Sequence, residues 1–310
     1  MKKKLIFLTF ILSLVVLLLP SCADEETRPE FPLSAVIHNS IDGKQAAFVA
    51  LTHSAVSWEW DFGDGNTSTD KEPVHVYKDG GYYDVVLTAK DSQGNSVTET
   101  ITIAVAVTPY VLLTGGSTAT KGKTWKLSSA HGTLGDYLAN ADANLTTADP
   151  KLTPLPDGAF GQIGMPDVYK DEYTFFFDGS YKHDVKEDGA AFGGLVYQIV
   201  LNNGKDIINM NGKDFGLCIA KYTPEANATF TFVEKEDYVV PSVYGGVSFP
   251  NTMTLDFSGT EFIGFRDFQS KVVLRTITDT RMQLVMFMAA SDKAIGVNTH
   301  ALILSFEVVK

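Results

Sequence analysis

Trp60-Asp61-Phe62-Gly63-Asp64-Gly65 is the stretch on which the reading of this chain turns. A tryptophan closes the alternating run Val56-Ser57-Trp58-Glu59-Trp60, and two glycines flanking one acid follow. Alternation with aromatic and β-branched residues predicts a half-buried strand ending at Trp60. Gly63 and Gly65 permit positive φ, and Asp61 and Asp64 can accept backbone N–H bonds, so the strand is expected to stop in a tight turn. Working outward, Ala47 to Leu51 is apolar, while Tyr83 to Ala89 and Val97 to Ile103 alternate. Asp79-Gly80-Gly81, bracketed by Tyr77 and Tyr82, and Asp91-Ser92-Gln93-Gly94-Asn95 supply turns between them. Short strands with turns at this spacing predict an antiparallel β-sandwich with Trp60 in its core.

The hexapeptide, Pro73-Val74-His75-Val76-Tyr77 and Gly81-Tyr82-Tyr83-Asp84-Val85-Val86-Leu87-Thr88 together resemble the PKD domain, an immunoglobulin-like β-sandwich. The resemblance covers residues 33–107. It implies structural roles for Trp60, Asp61, Gly63, Asp64, Gly65, His75 and Tyr77, and a spacer or weak interaction module beside a catalytic or binding domain. Glu59 to Asp64 also imitates the E-x-D-x-x-E carboxylate ladder of laminarinase-type glycosidases, but its last position is Asp. A turn held by its own aspartates does not present two carboxylates to one bond at about 5–9 Å.

At the amino terminus, Lys2, Lys3 and Lys4 precede an apolar run from Leu5 to Leu19, broken by Thr9 and Ser13, and then Pro20-Ser21-Cys22. This is the order of a signal peptide, and a run of 15 positions is too short for a spanning helix, which needs about 20. Leu19, Ser21 and Cys22 resemble a bacterial lipoprotein signal, from which Pro20 departs. The resemblance implies removal of residues 1–21 and acylation of Cys22; each buried methylene then adds about 0.8 kcal/mol of membrane affinity. A plain secretory signal is the alternative. Ala23-Asp24-Glu25-Glu26 resembles the export tag of Bacteroidota surface lipoproteins, and otherwise reads as a solvated tether. The expected location is the outer membrane, lipid-anchored and facing the exterior, with residues 22–32 as an acidic tether stiffened by Pro29 and Pro32.

Residues 22–310 carry 22 basic and 37 acidic side chains, a net charge of −15. Such a chain has no electrostatic footprint for nucleic acid or anionic lipid, so membrane contact is expected through the anchor only. Cys22 and Cys218 are the two cysteines, and an acylated Cys22 leaves no intramolecular disulfide. Cys218, in Gly216-Leu217-Cys218-Ile219-Ala220, reads as a buried small hydrophobe.

Residues 108–310 are again strand-rich. Tyr173 to Phe177 and Ser180 to Val185 flank Asp178-Gly179, a strong hairpin signal. Leu195 to Leu201, Thr229 to Val233, Met253 to Phe257, Leu284 to Met288 and Leu302 to Val309 also read as strands, and only Leu134 to Ala143 could hold a turn or two of helix. A single larger antiparallel β-sandwich or jelly roll is predicted. Lys123-Thr124-Trp125-Lys126-Leu127, with Trp125 expected in the core, the hairpin and the closing strands resemble the carboxy-terminal domain of surface glycan-binding lipoproteins from Bacteroidota polysaccharide-utilisation systems. This implies non-catalytic binding of a polysaccharide, with an outer-membrane transporter complex as a further partner.

The search for chemistry is otherwise negative. Gly116 to Thr124 imitates a phosphate-binding loop, but five residues separate Gly116 from Gly122 and a strand follows, so it reads as a linker. The six histidines form no H-x-x-x-H pair, and Asp142, Asn144 and Asp149 lack calcium-loop spacing. Glu234 and Glu236 would share a strand face, yet Lys235, Asp237 and Tyr238 point to a charged hairpin tip. No catalytic residue, metal or cofactor is predicted. Sugar rings present apolar faces to exposed aromatics and hydroxyls to polar neighbours. The glycan-binding candidates are Tyr137, Phe160, Tyr169, Phe192, Tyr238 and Tyr244, read as loop residues, with Asp167 and Asp171 alternating about Tyr169. Each competes with an edge-of-core role. A protein–protein scaffold and a diverged glycoside hydrolase are the other functions this sequence accommodates.

Overall fold

The structure, a computed structural model, describes residues 31–145, 148–290 and 296–310. Cys22, the signal segment and the tether up to residue 30 lie outside the described residues. No helix among the described residues is long and apolar enough to cross a membrane.

The amino-terminal part is a two-sheet sandwich. Its strands are β1 (Ser34–Asp42), β2 (Gln45–His53), β3 (Ala55–Asp61), β4 (Thr67–Ser68), β5 (Val74–Val76), β6 (Gly81–Asp91) and β7 (Ser96–Val105). Order β1-β2-β5 makes one sheet and β4-β3-β6-β7 the other. The period-2 pattern sends Phe48, Trp60, Tyr83, Val85 and Leu87 into one core, with Phe62 and Tyr77 from the turns. Gly63 lies at φ 77°, and a Cβ there would sit 2.6 Å from the Asp84 carbonyl oxygen, so both backbone conformation and space require glycine.

A short helix, α1 (Pro109–Thr114), starts at the Thr108 cap and ends at left-handed Gly115. The larger part follows as β8 (Lys123–Leu127), β9 (Tyr137–Asn140), β10 (Leu152–Pro154), β11 (Glu172–Phe175), β12 (Tyr181–Asp184), β13 (Ala190–Gly194), β14 (Ile207–Asn209), β15 (Leu217–Lys221), β16 (Phe230–Ser242), β17 (Gly245–Phe257), β18 (Val272–Ile277), β19 (Arg281–Met288) and β20 (His300–Val308). It is a larger antiparallel β-sandwich. Its main sheet runs β12-β11-β8-β20-β19-β18-β17-β16, with β9 and β10 attached through β20; β13-β15-β14 forms a smaller sheet. The main sheet coils so far that its end strands meet. Tyr181 N–H donates to Ala228 O at 2.9 Å and Phe230 N–H to Gly179 O at 3.0 Å. Trp125, Phe175, Leu255, Leu284 and Phe306 fill the space between the facing halves.

Three local expectations are corrected. Leu195 to Leu201 is not a strand but part of α4 (Leu195–Asn202); α2 is His131–Leu134 and α3 is Ala159–Gln162. A short apolar run does not separate strand from buried helix by periodicity, and here left-handed Asn203 caps a helix. The turn expected from Leu134 to Ala143 is instead α2 followed by β9. Glu234 and Glu236 lie inside the 13-residue β16, whose tip comes later at Val243-Tyr244.

Candidate functional site

The side chains of Lys126, Glu172 and Asp184 alternate with inward-facing Trp125, Tyr173 and His183, so they stand on the outer face of β8, β11 and β12. Lys126 pairs with Glu172 in register. The 3-10 turn Pro166–Tyr169 walls one side of this face and the segment 186–188 the other. Together they enclose an open groove of about 660 Å3 lined by Lys126, Asp167, Tyr169, Lys170, Glu172, Lys186, Glu187 and Asp188. Its cations are paired: Lys170 with Asp167 at 2.7 Å, Lys186 with Glu172 at 2.7 Å, and Lys126 with Glu307 at 3.4 Å.

Tyr169 supplies the aromatic surface of the groove, and its hydroxyl is tied from behind. Phe160 N–H donates to it at 3.0 Å, and it bonds His131 Nε2 at 2.9 Å. His131 Nδ1 in turn meets Asp136 at 2.7 Å, both side chains fully buried. Asp136 also accepts from Ser305 N–H at 2.9 Å, Ser305 O–H at 2.6 Å and Gln283 Nε2 at 3.1 Å. Burial pushes the Tyr169 hydroxyl above its ordinary pKa, so it stays protonated in this network. The ring is thus fixed before any ligand arrives.

Of the residues singled out from sequence, Asp167 and Tyr169 meet in this groove. Asp171 does not: strand alternation turns it inward, where it is 3% exposed and faces His183 at 3.8 Å. Glu261 stands 3.5 Å from the other ring nitrogen. Burial raises the Asp171 carboxyl, while on His183 burial is outweighed by the two carboxylates, which hold the imidazolium above its usual pKa. Phe160, Phe192 and Tyr238, expected as loop aromatics, are core residues at 2%, 1% and 7% exposure. Phe160 lies in α3 and Phe192 in β13, edge to face with neighbouring rings; Tyr238 lies in β16 and accepts from Gln269 Nε2 at 2.7 Å. Being buried, they cannot meet a sugar ring. Tyr137 is half-buried in β9, and Tyr244 is exposed at the β16–β17 tip; neither lines the groove. Lys126, Lys170, Glu172, Lys186, Glu187 and Asp188 were missed. Alternation about Trp125 marks Lys126 as outward-facing, but nothing in sequence brings it beside residue 186.

Glu236 is committed elsewhere. Lys271 at 2.7 Å and the Thr254 hydroxyl at 2.6 Å hold its carboxyl below the ordinary value. Among the described residues no group of three or more His, Cys, Asp or Glu side chains is placed to hold a metal. Cys218 is buried, and desolvation pushes its thiol to about 12.

At the turn of the smaller sandwich, Asp61 accepts from Gly63 N–H at 2.9 Å and Asp64 from Asn66 N–H at 3.0 Å. The second Asp64 oxygen meets His75 Nε2 at 2.7 Å, and the His75 ring stacks on Phe62 at 4.4 Å. Tyr77 O–H donates to Phe62 O at 3.1 Å and Trp60 Nε1–H to Asp70 O at 2.9 Å. The family profile of the PKD domain matches residues 39–107. Residues 39–107 form a PKD domain. Collagenase ColA of Bacillus cereus is 36% identical over 78 residues, which are 25% of this chain and 8% of that protein. The PKD1 domain of Vibrio anguillarum Epp is 31% identical with a TM-score of 0.25, covering 26% of this chain and 99% of that one. A solved carbohydrate-binding module of the β-sandwich superfamily covers 91% of this chain and 94% of its own, at 15% identity and a TM-score of 0.26. The chain thus spans under a tenth of the collagenase.

The PKD domain touches the larger sandwich through its Gly80-Gly81 turn. Thr118 O–H donates to Tyr82 O at 2.6 Å, Tyr83 and Ser117 hydroxyls lie 3.2 Å apart, and Tyr82 O–H donates to Asp279. Residues 116–124, which imitate a phosphate loop, are this linker and the entry to β8.

Proposed function

We propose that this chain is a surface-tethered, non-catalytic glycan-binding protein whose PKD domain is the spacer and whose Tyr169 groove receives the polysaccharide. The observation that carries the reading is the preorganised Tyr169 ring flanked by paired acids and amines. A sugar stacks its C–H face on such a ring, and its hydroxyls can both donate to carboxylates and accept from ammonium groups. The order of the chain supports an outward-facing lipoprotein: the signal-like start, Cys22, the acidic tether, the PKD domain and then the groove. Glu236, one of the two acids weighed from sequence, is tied to Lys271 and Thr254 and held low, so it is not poised as a general acid.

Affinity electrophoresis of the protein through gels cast with a polysaccharide panel tests this. At least one neutral polysaccharide is expected to retard the wild type, and Tyr169→Ala is expected to abolish the retardation. If none retards it at micromolar protein, the reading fails; reducing ends released on incubation would make it a hydrolase. Metabolic labelling with palmitate, lost in Cys22→Ala, tests the anchor, and protease digestion of intact cells tests its outward placement.

One observation favours a scaffold role instead. Val36, Leu51, Val74 and Val76 stand exposed together on the outer face of β1, β2 and β5. Co-purification with an outer-membrane protein, lost in Val36→Asp/Leu51→Asp and indifferent to sugars, would select that reading.

A further inference from the structure

On the other side of the segment that carries Tyr169 lies a second opening with the opposite chemistry. It is a slot of about 260 Å3. Pro154, Leu155 and Pro156 line it from the chain before α3, Ala159, Phe160 and Ile163 from α3 and its end, and Leu217 and Leu302 from β15 and β20. Phe215, 52% exposed, stands at the rim. Its only polar lining groups are Thr153 and Gln162, and the Gln162 amide nitrogen is already donated to Asp157 O at 2.8 Å.

The slot is held open by bonds behind its walls. The Tyr169 hydroxyl takes the Phe160 N–H at 3.0 Å and fixes α3 from one side. Asp157 accepts from Gly132 N–H at 2.8 Å and Thr133 N–H at 3.2 Å, which pins the loop after Pro156. Asn209 and Asn211 amides both donate to Gly164 O, at 2.9 and 3.1 Å, and fix the chain just after Ile163. Two prolines stiffen the remaining wall. A preformed apolar recess that cannot collapse leaves water with few partners, so an apolar guest displaces it favourably.

We propose that this slot is a binding site for a single aromatic ring of a small molecule, a separate opening from the groove at Tyr169. Volume sets the size, since apolar cavities of about 150 Å3 accept benzene and this one has room for one substituted ring. Lining chemistry sets the class. A charged or hydroxyl-rich group would lose hydration and find almost no donor or acceptor, whereas the exposed ring of Phe215 offers an aryl partner and Pro154 and Pro156 offer apolar C–H surface.

The test is calorimetric titration and thermal shift of the whole protein with p-cresol and phenyl β-D-glucoside, with methyl β-D-glucoside as the ringless control. One-to-one saturable binding of both aryl probes is expected, with no response to the control. Ala159→Leu narrows the slot and is expected to weaken p-cresol by about tenfold or more. Leu155→Ala widens it and is expected to favour 2-naphthol over p-cresol, a gain that misfolding cannot mimic. Asp167 lies in the groove and its side chain supports no wall of the slot, so Asp167→Ala is expected to leave aryl binding in place while weakening polysaccharide retardation. Absence of saturable aryl binding at millimolar probe overturns the proposal. So does aryl binding that Ala159→Leu and Leu155→Ala leave unchanged, or that responds equally to the ringless control.

Discussion

Two histidine–carboxylate pairs of equal length, one in each half of the molecule, have different surroundings. His75 and Asp64 meet at 2.7 Å at the rim of the PKD domain, each side chain 14% exposed, and they lie only eleven positions apart in sequence. His131 and Asp136 meet at the same 2.7 Å with no exposure, and their support comes from Tyr169, Gln283 and Ser305, up to 169 positions away. At the rim, solvent shares the charge and the pair adds little to stability. Inside, every oxygen of the acid is spoken for, and removing it strands several buried donors at once. The small sandwich thus uses its polar motif to shape a turn, while the large one uses polar groups to lock its core and to hold the Tyr169 ring.

The sharpest break of that contrast is a paired substitution. Asp136→Ala is expected to cost about 3–5 kcal/mol, and Asp64→Ala about 1 kcal/mol or less, by urea unfolding. Equal losses would mean that burial does not separate the two pairs.

The next largest effect is one of pH. Burial raises Asp267 from 3.8 to about 7, although Phe268 N–H donates to it at 2.7 Å. A carboxyl with a raised folded pKa binds more protons when folded, so stability falls as pH rises from about 4 to about 7. Asp171 and His183, both raised, act in the same direction. Asp64 acts oppositely: despite burial, bonds from His75 and Asn66 lower its pKa, and its contribution is lost as pH falls below the ordinary carboxylate value. Asp267→Asn is therefore expected to raise the melting temperature of the large sandwich above pH 7, by up to about 4 kcal/mol in stability, and to leave it unchanged near pH 4. A gain independent of pH would assign the effect to packing.

Tyr169 separates platform from lock. Tyr169→Ala is expected to reduce polysaccharide affinity by about tenfold or more. Tyr169→Phe keeps the ring and the affinity but costs about 1–3 kcal/mol in stability, because His131 and the Phe160 N–H lose a buried partner. Affinity lost equally in both would show that the tie behind the ring, and not the ring face alone, sets binding. The smallest effect is expected at the junction, where Tyr82→Phe removes an exposed bond to Asp279 and changes stability by under about 1 kcal/mol.

The PKD domain could be read from sequence because its determinants are local. Trp60, Gly63 and the two turn aspartates act within a few residues of themselves. β19 and β20 were harder, since Leu284 to Met288 and Ala301 to Phe306 are buried on both faces and their alternation disappears. The groove was half visible. Asp167 and Tyr169 announced themselves by chemistry, whereas Asp171, with the same spacing and the same charge, turned inward with the pleat of the sheet. Phe160, Phe192 and Tyr238 look like Tyr169 in sequence, and only packing distinguishes a core ring from a rim ring.

The sequence alone determined the mostly-strand character of both halves, the PKD turn and its glycines, and the acidic balance that excludes a nucleic-acid footprint, because strand pattern, φ preference and charge are properties of short segments. The coiling of the main sheet until Tyr181 reaches Ala228, the joining of Lys126 to the segment 186–188, and the tie that holds Tyr169 from behind were decided by tertiary structure. They depend on which distant strands become neighbours, and no local preference of the chain encodes that choice.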